Sequence, residues 1–290
     1  MKPAPFDYYQ PRSLDEALEL LSRFEGAKVL AGGQSLMAMM NMRFVQPEQV
    51  IDVNRIDLDY IRLEDSYIAI GAGTRQRDIQ LSAVVREHAP LMIEALQHVG
   101  HVQTRNRGTI GGSLCHLDPA AELPSVCMTL GAEVVAESKA NGRRVMPMVE
   151  FAADYMTPAI GMDELVTEIR VPLWPESHGY AFEEFARRHG DFAIASASVA
   201  VTIEDDVIDR IAISIGGLAS VPTRITEAES FLSGKPRKEL KIEHAATLCG
   251  NLDAISDSHA TSEHRQHLAT VLASRALNRA VNRAVREVSK

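Results

Sequence analysis

Two short segments concentrate the residue types that handle an anion. In Leu30-Ala31-Gly32-Gly33-Gln34-Ser35-Leu36, two glycines and a hydroxyl stand between a strand-like run and the start of a helix-like one. A turn of that kind exposes successive backbone N–H groups, and only glycine lets a phosphate come close to them, so the segment suits a pyrophosphate. The same residues also fit a plain tight turn with Ser35 as helix cap. A second segment, Arg105 to Ser113, repeats the theme with Gly108, Thr109, Ile110, Gly111, Gly112 and Ser113. Directly after it, His116, Asp118 and Glu122 lie in Leu114 to Pro124, whose carboxylates suit the hydroxyls of a sugar or polyol. Asp118 before Pro119 reads equally well as a helix cap.

Around these segments the pattern alternates short strands and helices. Ser13 with Glu16 three residues on marks a helix start, and Ala17, Leu18, Leu20 and Leu21 give that helix an apolar face. Lys28 to Ala31 reads as a strand stopped by Gly32-Gly33. A helix with Leu36, Met37, Met39 and Met40 as core follows, then a strand from Val50 to Val53. Tyr60 to Leu63 and Tyr67 to Ile70 flank the hairpin loop Glu64-Asp65-Ser66. Helices are expected over about Arg77–His88 and Leu91–Val99, a strand pair around Asn141-Gly142, and a strand from Leu165 to Val171. Pro172 to Gly179 has linker composition. Beyond it, strands at Tyr180–Arg187, Ala193–Ile203 and Arg210–Ile215 precede helices at about Thr223–Leu232, Glu239–Gly250 and Glu263–Val288, the order of an α+β unit with one face of its sheet covered.

Composition removes several function classes. The net charge of −9 repels phosphate backbones and anionic lipid, so nucleic-acid binding is not expected. No run approaches the roughly 20 apolar residues of a membrane span, and Met1 to Asp7 has no apolar stretch of the secretory kind, so the expected location is cytoplasmic. Cys115, Cys127 and Cys249 make neither a disulfide framework nor the four thiolates of an iron–sulfur cluster. Gly71-Ala72-Gly73 opens like a dinucleotide fingerprint, but Gln76 takes the third glycine's place. Met37 likewise ends any serine-hydrolase elbow around Ser35. The pairs His98/His101 and His264/His267 share a helical spacing but lack a third ligand, so no metal site is expected. On the last helix, Arg275, Arg279, Arg283 and Arg286 form a stripe that fits a solvated face or a dock for an acidic partner.

The two glycine segments resemble those of the medium, FAD-binding subunits of the molybdenum hydroxylases, the family of carbon monoxide dehydrogenase and the bacterial relatives of xanthine dehydrogenase. The likeness spans nearly the whole chain: Phe6-Asp7-Tyr8, Ala31 to Leu36, Ile51-Asp52-Val53, Gln103 to Asn106, Gly108 to Gly112, Asp118 to Pro124, Asp163-Glu164-Leu165, and Arg187 with Asp191-Phe192-Ala193. It implies a two-part FAD-binding domain of the p-cresol methylhydroxylase type over residues 1–175, with subdomains of about 1–55 and 56–175, and a smaller C-terminal α+β domain over 176–290. By the same resemblance, Leu30 to Leu36 and Gly108 to Ser113 hold the pyrophosphate and adjoining ribityl region. His116, Asp118 and Glu122 serve the ribityl and flavin surroundings, Val99, Gly100 and Thr104 line the approach, Leu165 and Val166 lie near the cofactor, and Phe192 faces the ring. No catalytic acid or base is assigned to this chain. Ser113 stands where Asn is common, Leu117 where a small residue is usual, and Glu183 where many relatives have Lys.

The implied role is electron exit from an assembly. A large molybdopterin-binding subunit hydroxylates the substrate, a small subunit relays electrons through two [2Fe–2S] clusters, and FAD passes them to NAD⁺, oxygen or another acceptor; a dimer of heterotrimers is expected. Two other readings stay open on the residues alone. One is a stand-alone flavin reductase of the same fold, which needs a catalytic serine and glutamate around a nucleotide-sugar site. The other is a non-catalytic subunit that has lost FAD, motivated by Ser113 and Glu183.

Overall fold

A computed structural model of the chain describes residues 1–288, with side chains through Ala284. The first layer is a parallel sheet with strands β1 (Asp7–Tyr9), β2 (Lys28–Leu30) and β3 (Gln49–Asp52) in the order β1-β3-β2, connected by helices α1 (Leu14–Arg23) and α2 (Leu36–Asn41). Ser13 caps α1 by accepting from Glu16 N at 3.2 Å, while the Glu16 carboxylate accepts from Arg12 N at 2.8 Å. Ala17, Leu18 and Leu21 bury the inner face of α1 against Ile51, Val53, Leu58 and Leu165. Strand β1 has three residues and no alternation, and the sequence pattern did not reveal it. Of the four apolar residues expected as core in α2, only Met40 is buried; Leu36, Met37 and Met39 are half-buried because so short a helix sits at the margin of the layer.

The second layer is a five-stranded antiparallel sheet in the order β4-β5-β10-β6-β7. Its strands β4 (Ile61–Leu63) and β5 (Tyr67–Gly71) are followed by helices α3 (Gln76–Leu81), α4 (Ala83–His88), α5 (Pro90–Leu96), α6 (Val102–Arg105), α7 (Ile110–His116) and α8 (Glu122–Leu130). The chain continues through β6 (Glu133–Ser138), β7 (Gly142–Pro147), α9 (Met148–Phe151), the small pair β8 (Ala152–Asp154) and β9 (Thr157–Pro158), and β10 (Glu164–Pro172). The helix expected from Arg77 to His88 is broken at Ser82, whose extended backbone lets its hydroxyl cap α4 by accepting from Val85 N at 3.3 Å. Ile68, Ile70, Leu91, Leu96, Ile110, Leu114 and Phe151 are among the side chains that fill this core.

The third layer is the antiparallel sheet β11-β12-β13-β14, formed by β11 (Gly179–Phe185), β12 (Ala195–Glu204), β13 (Val207–Gly216) and β14 (Thr223–Arg224), with helices α10 (Thr226–Leu232), α11 (Ile242–Gly250) and α12 (Ser262–Val288). Both faces of this sheet are covered, not one. Helix α12 lies against β11 and β12 through Ala273, Ala276, Leu277, Ala280 and Ala284. The alanines let the backbones approach so closely that a Cβ on Gly179 would lie 1.9 Å from Ala280 O. On the opposite face, α8 reaches β13 through hydroxyls, with Thr129 Oγ1 2.6 Å from Ser214 Oγ and Ser125 O accepting from Ser214 Oγ at 2.8 Å. Burial on both sides explains why the first eight residues of β12 are all buried instead of alternating.

Two residues of the α12 arginine stripe, Arg279 and Arg283, dock within the chain. Arg279 Nη2 and Arg283 Nη1 donate to the two carboxylate oxygens of Glu94 on α5 at 2.6 and 2.7 Å, Arg279 also pairs with Glu183, and the Arg283 guanidinium covers the Tyr180 ring. Arg275 is exposed; the side chains of Arg286 and Val288 lie outside the described residues. Among the described residues no helix is long and apolar enough to cross a membrane.

Candidate functional site

The two glycine segments meet. A Cβ on Gly32 would stand 2.2 Å from Arg107 O and 2.8 Å from Gly108 Cα, so main chain touches main chain there and only glycine fits. Gly33 turns the loop with a positive φ of 72°, and among the described residues the amides of Gly32, Gly33, Gln34 and Ser35 have no protein acceptor. Ser35 occupies the position before α2, but its side chain makes no capping bond, so the expected cap is not formed and the hydroxyl is left for other use.

The second segment behaves differently from a row of outward amides. Ile110 N donates to Thr74 O, Gly111 N to Ala72 O, Gly112 N to Thr109 Oγ1 and Ser113 N to Thr109 O, which ties the start of α7 to the loop after β5. Gly111 is glycine because a Cβ would strike Ala72, at 2.6 Å from Ala72 Cβ. Gly112, by contrast, is exposed, and a Cβ there would meet only Thr109 Oγ1. The segment therefore presents a bare glycine surface and the half-buried Ser113 side chain, with its N–H groups spent internally.

Three polar residues outside the glycine segments hold the loops together. Asn54 Nδ2 donates to Ala31 O at 2.9 Å, and Asn54 Oδ1 accepts from Arg75 Nη2 at 2.6 Å. Arg75 Nη1 then donates to Arg107 O at 2.6 Å, so one guanidinium links the first loop to the second. Asp52, at the end of β3, orients Asn54 by accepting from its N at 2.9 Å and is itself bonded by Tyr8. Each residue is ordinary in sequence; their partnership exists only because β3, the loop after β5 and the loop before α7 converge. The one signal in the sequence is that Tyr8 and Asp52 fall in Phe6-Asp7-Tyr8 and Ile51-Asp52-Val53, two of the segments that carry the family resemblance.

The remaining residues surround these loops. Arg105, buried, donates from Nη1 to Val99 O at 2.7 Å and Gly100 O at 3.3 Å, curling the segment that carries Val99, Gly100 and Thr104. Thr104 O accepts from Gly108 N at 2.7 Å, which joins that curl to the second glycine loop. Gly100 has a φ of 43° and separates His98 from His101, so these histidines do not share a helix. A cavity of about 370 Å³ is lined by Gly100, His101, Val102, Gln103, Arg105 and His189. Its far wall belongs to the loop between β11 and β12, where Gly190 backs onto His101 and Phe192 is 70% exposed. Leu165 and Val166 are buried in β10 beside the register shift at Val166/Glu168, while Thr167 O accepts from Ala72 N behind the second loop.

Asp118 does not cap α8. Its Oδ1 accepts from Ala120 N at 2.9 Å in an Asx turn, and Ala121 stands at the cap position. Leu117 before it is fully buried in the left-handed region, with a φ of 49°, so a large side chain is anchored where a small one was usual. Burial lowers the pKa of His116, opposed by Asp118. Glu122 is pushed up to about 8 by burial and then by Glu184, and Glu184 to about 7 by burial. Burial also places the thiols of Cys115, Cys127 and Cys249 at about 12, which leaves no reactive thiolate at neutral pH.

Residues 4–174 match the family model described as the FAD binding domain in molybdopterin dehydrogenase, and residues 180–280 match the CO dehydrogenase flavoprotein C-terminal domain. This chain belongs to the FAD-binding medium subunits of the molybdenum hydroxylases. It is 40% identical to caffeine dehydrogenase subunit beta of a Pseudomonas strain, over 96% of this chain and 95% of that one. It is 36% identical to the carbon monoxide dehydrogenase medium chain of Hydrogenophaga pseudoflava, over 96% and 98%. Among solved structures, a carbon monoxide dehydrogenase chain from H. pseudoflava superposes with a TM-score of 0.95 at 36% identity, covering 98% of this chain and 99% of that one. Quinoline 2-oxidoreductase from Pseudomonas putida 86 gives 0.93 at 30% identity, over 98% and 99%. The medium subunit is thus an oxidoreductase component with an FAD-binding domain, and its relatives are subunits of larger dehydrogenases.

In this medium subunit, the departure at Glu183 has a structural partner. Glu183 lies on β11 facing α12 and pairs with Arg279 there, so an acidic residue is satisfied inside the chain.

Proposed function

We propose that this subunit holds FAD across its two glycine loops and serves as the electron exit of a molybdopterin-dependent hydroxylase. In that role it takes electrons from [2Fe–2S] clusters on a small partner subunit and delivers them to an external acceptor. The observation that carries the reading is the contact of Gly32 with Arg107 and Gly108, which sets two bare stretches of main chain side by side with unpaired amides in the first. That donor set fits a pyrophosphate, whose oxygens need N–H donors and no intervening side chains.

When bound, FAD supplies the capacity to accept and release electrons singly or in pairs. The chain supplies the grip. Gly32, Gly33, Gln34 and Ser35 would donate their amides to phosphate oxygens, flanked by Leu30, Ala31 and Leu36. Gly108 to Gly112 would admit the cofactor's approach, and Ser113, His116, Asp118 and Glu122 would take the polyol hydroxyls. Val99, Gly100, Thr104 and Phe192 would border the ring, and Leu165 and Val166 would support it from behind. We place the division between the FAD-binding and C-terminal domains near residue 175, and the assembly in the cytoplasm as a dimer of heterotrimers with the large molybdopterin-binding subunit.

The test is direct. The purified chain should carry flavin absorbance near one FAD per chain, and isolation from its source should bring down partners that contain molybdenum and iron. A chain that neither retains nor rebinds FAD, or that isolates alone and reduces a nucleotide sugar, refutes the reading.

A further inference from the structure

We propose that Glu184 and Glu122, with His98 as their outlet to solvent, form a proton-binding site that responds to charge on the flavin. The proposal rests on the FAD reading above. The Glu184 side chain is 4% exposed, and its Oε2 is buried without a hydrogen-bond partner. Its Oε1 lies 3.8 Å from His98 Nδ1, and the His98 ring packs on Phe182 with centroids 5.4 Å apart. Glu122, also buried at the start of α8, feels the negative charge of Glu184.

Two carboxyls in a dry site need either cations or a proton. The cations nearby make their hydrogen bonds elsewhere. Arg279 and Arg283, from α12, bond to Glu94 and Glu183; Arg105, from α6, bonds to the neutral oxygens Val99 O, Gly100 O and Gln80 Oε1, and its charge opposes, through space and more weakly, the effects of burial and Glu184 on Glu122. Asp191, on the loop after β11, pairs with Arg187. His189 on that loop and Glu94 on α5 act on His98 with opposite signs, and Asp118 adds a further negative charge against Glu122. Among the described residues no cation bonds to either Glu184 or Glu122, so the pair holds a proton near neutrality, consistent with the raised values of about 7 and about 8. Burial lowers the pKa of His98, which keeps its ring neutral and able to pass a proton between the pair and water.

The coupling balances as follows. Two electrons from an external reductant, with one proton taken up by the ring, leave one added negative charge on the flavin. A second proton, drawn from solvent through His98 onto the Glu184–Glu122 pair, cancels that charge. No covalent bond to the protein forms or breaks.

Spectroelectrochemical titration of the FAD-loaded chain between about pH 6 and pH 9 tests this. The wild-type plot of midpoint potential against pH should bend and steepen above about pH 7, by one extra proton per two electrons. Glu184→Gln should give a plot without that bend, while Glu183→Gln, whose carboxylate is already paired, should keep it. Infrared spectra of the same chains should show protonated carboxylic acid near neutral pH that is weaker in Glu184→Gln, where only Glu122 remains to hold a proton. A straight wild-type plot with full flavin occupancy, a bend that survives in Glu184→Gln, or the absence of the carboxylic-acid band overturns the proposal alone. Failure of the wild-type chain to hold flavin overturns the FAD reading and this proposal together.

Discussion

Substituting alanine for Gly32 should separate the two loops. The new methyl would lie 2.2 Å from Arg107 O, 2.8 Å from Gly108 Cα and 2.9 Å from Arg107 C, and none of these is the end of a side chain that can swing away. Relief to an ordinary contact distance demands a main-chain shift of about 1 Å. That shift strains the Arg75–Arg107 O bond of 2.6 Å and the Gln76 N–Gly108 O bond of 2.8 Å, each contributing about 0.5–1.5 kcal/mol. Adding the overpacking itself, the loss should be about 2–4 kcal/mol. Gly234→Ala is the control. It shares a left-handed φ of 72° with Gly33 but meets nothing within 4 Å, so it carries only conformational strain of about 1–2 kcal/mol, remote from the loops. Urea unfolding of the FAD-free chain and flavin absorbance of the loaded chain measure the two effects separately. Gly32→Ala should lose both stability and flavin, Gly234→Ala stability alone. A Gly32→Ala chain with wild-type stability and full flavin would refute the claim that the loops form one cradle.

Three further outcomes follow from the same geometry. Thr109→Ala removes the acceptor for Gly112 N and should cost about 1 kcal/mol in urea unfolding, whereas Ser35→Ala, which removes no cap, should stay within about 0.5 kcal/mol. Glu94→Ala strips Phe182 N, Arg279 and Arg283 of their shared acceptor and should destabilise by about 2–4 kcal/mol, against no measurable change for the exposed Arg275→Ala. Glu184 and Glu122 bind protons more tightly folded than unfolded, so their contribution to stability is fully present below the ordinary carboxylate range and is lost as pH rises through about 7 and about 8. The urea midpoint of the FAD-free chain should therefore fall between about pH 5 and pH 8, and Glu184→Gln should flatten that fall.

What was legible in the sequence was whatever local chemistry alone could encode. The glycine segments, the Ser13 cap and the hairpins depend on neighbours a few residues apart, and the structure contains them. The break at Ser82 was hidden because Arg77 to His88 keeps a helical apolar rhythm across it; only the extended backbone of one serine interrupts it. Asn54 and Arg75 could not be picked out, since their roles arise from partners in three separate loops. The arginine stripe left two readings open, a solvated face or an acidic dock, for a related reason. Its acidic partner Glu94 belongs to a different layer, and periodicity describes a helix face without saying what lies opposite it. The outward amides expected at Thr109 to Ser113 turned inward because the loop after β5 supplies Thr74 O and Ala72 O, acceptors that composition does not reveal.

The bonds from Arg279 and Arg283 to Glu94 span 185 and 189 positions of chain. A ribosome adding roughly 5–20 residues per second needs roughly 10–40 s after making Glu94 before it supplies the arginines. During that interval the nascent N-terminal layers carry an acidic side chain whose guanidinium partners do not yet exist. Docking of the last helix is therefore the event that neutralises it, and truncated translation products lack that closure even when both glycine loops have been made.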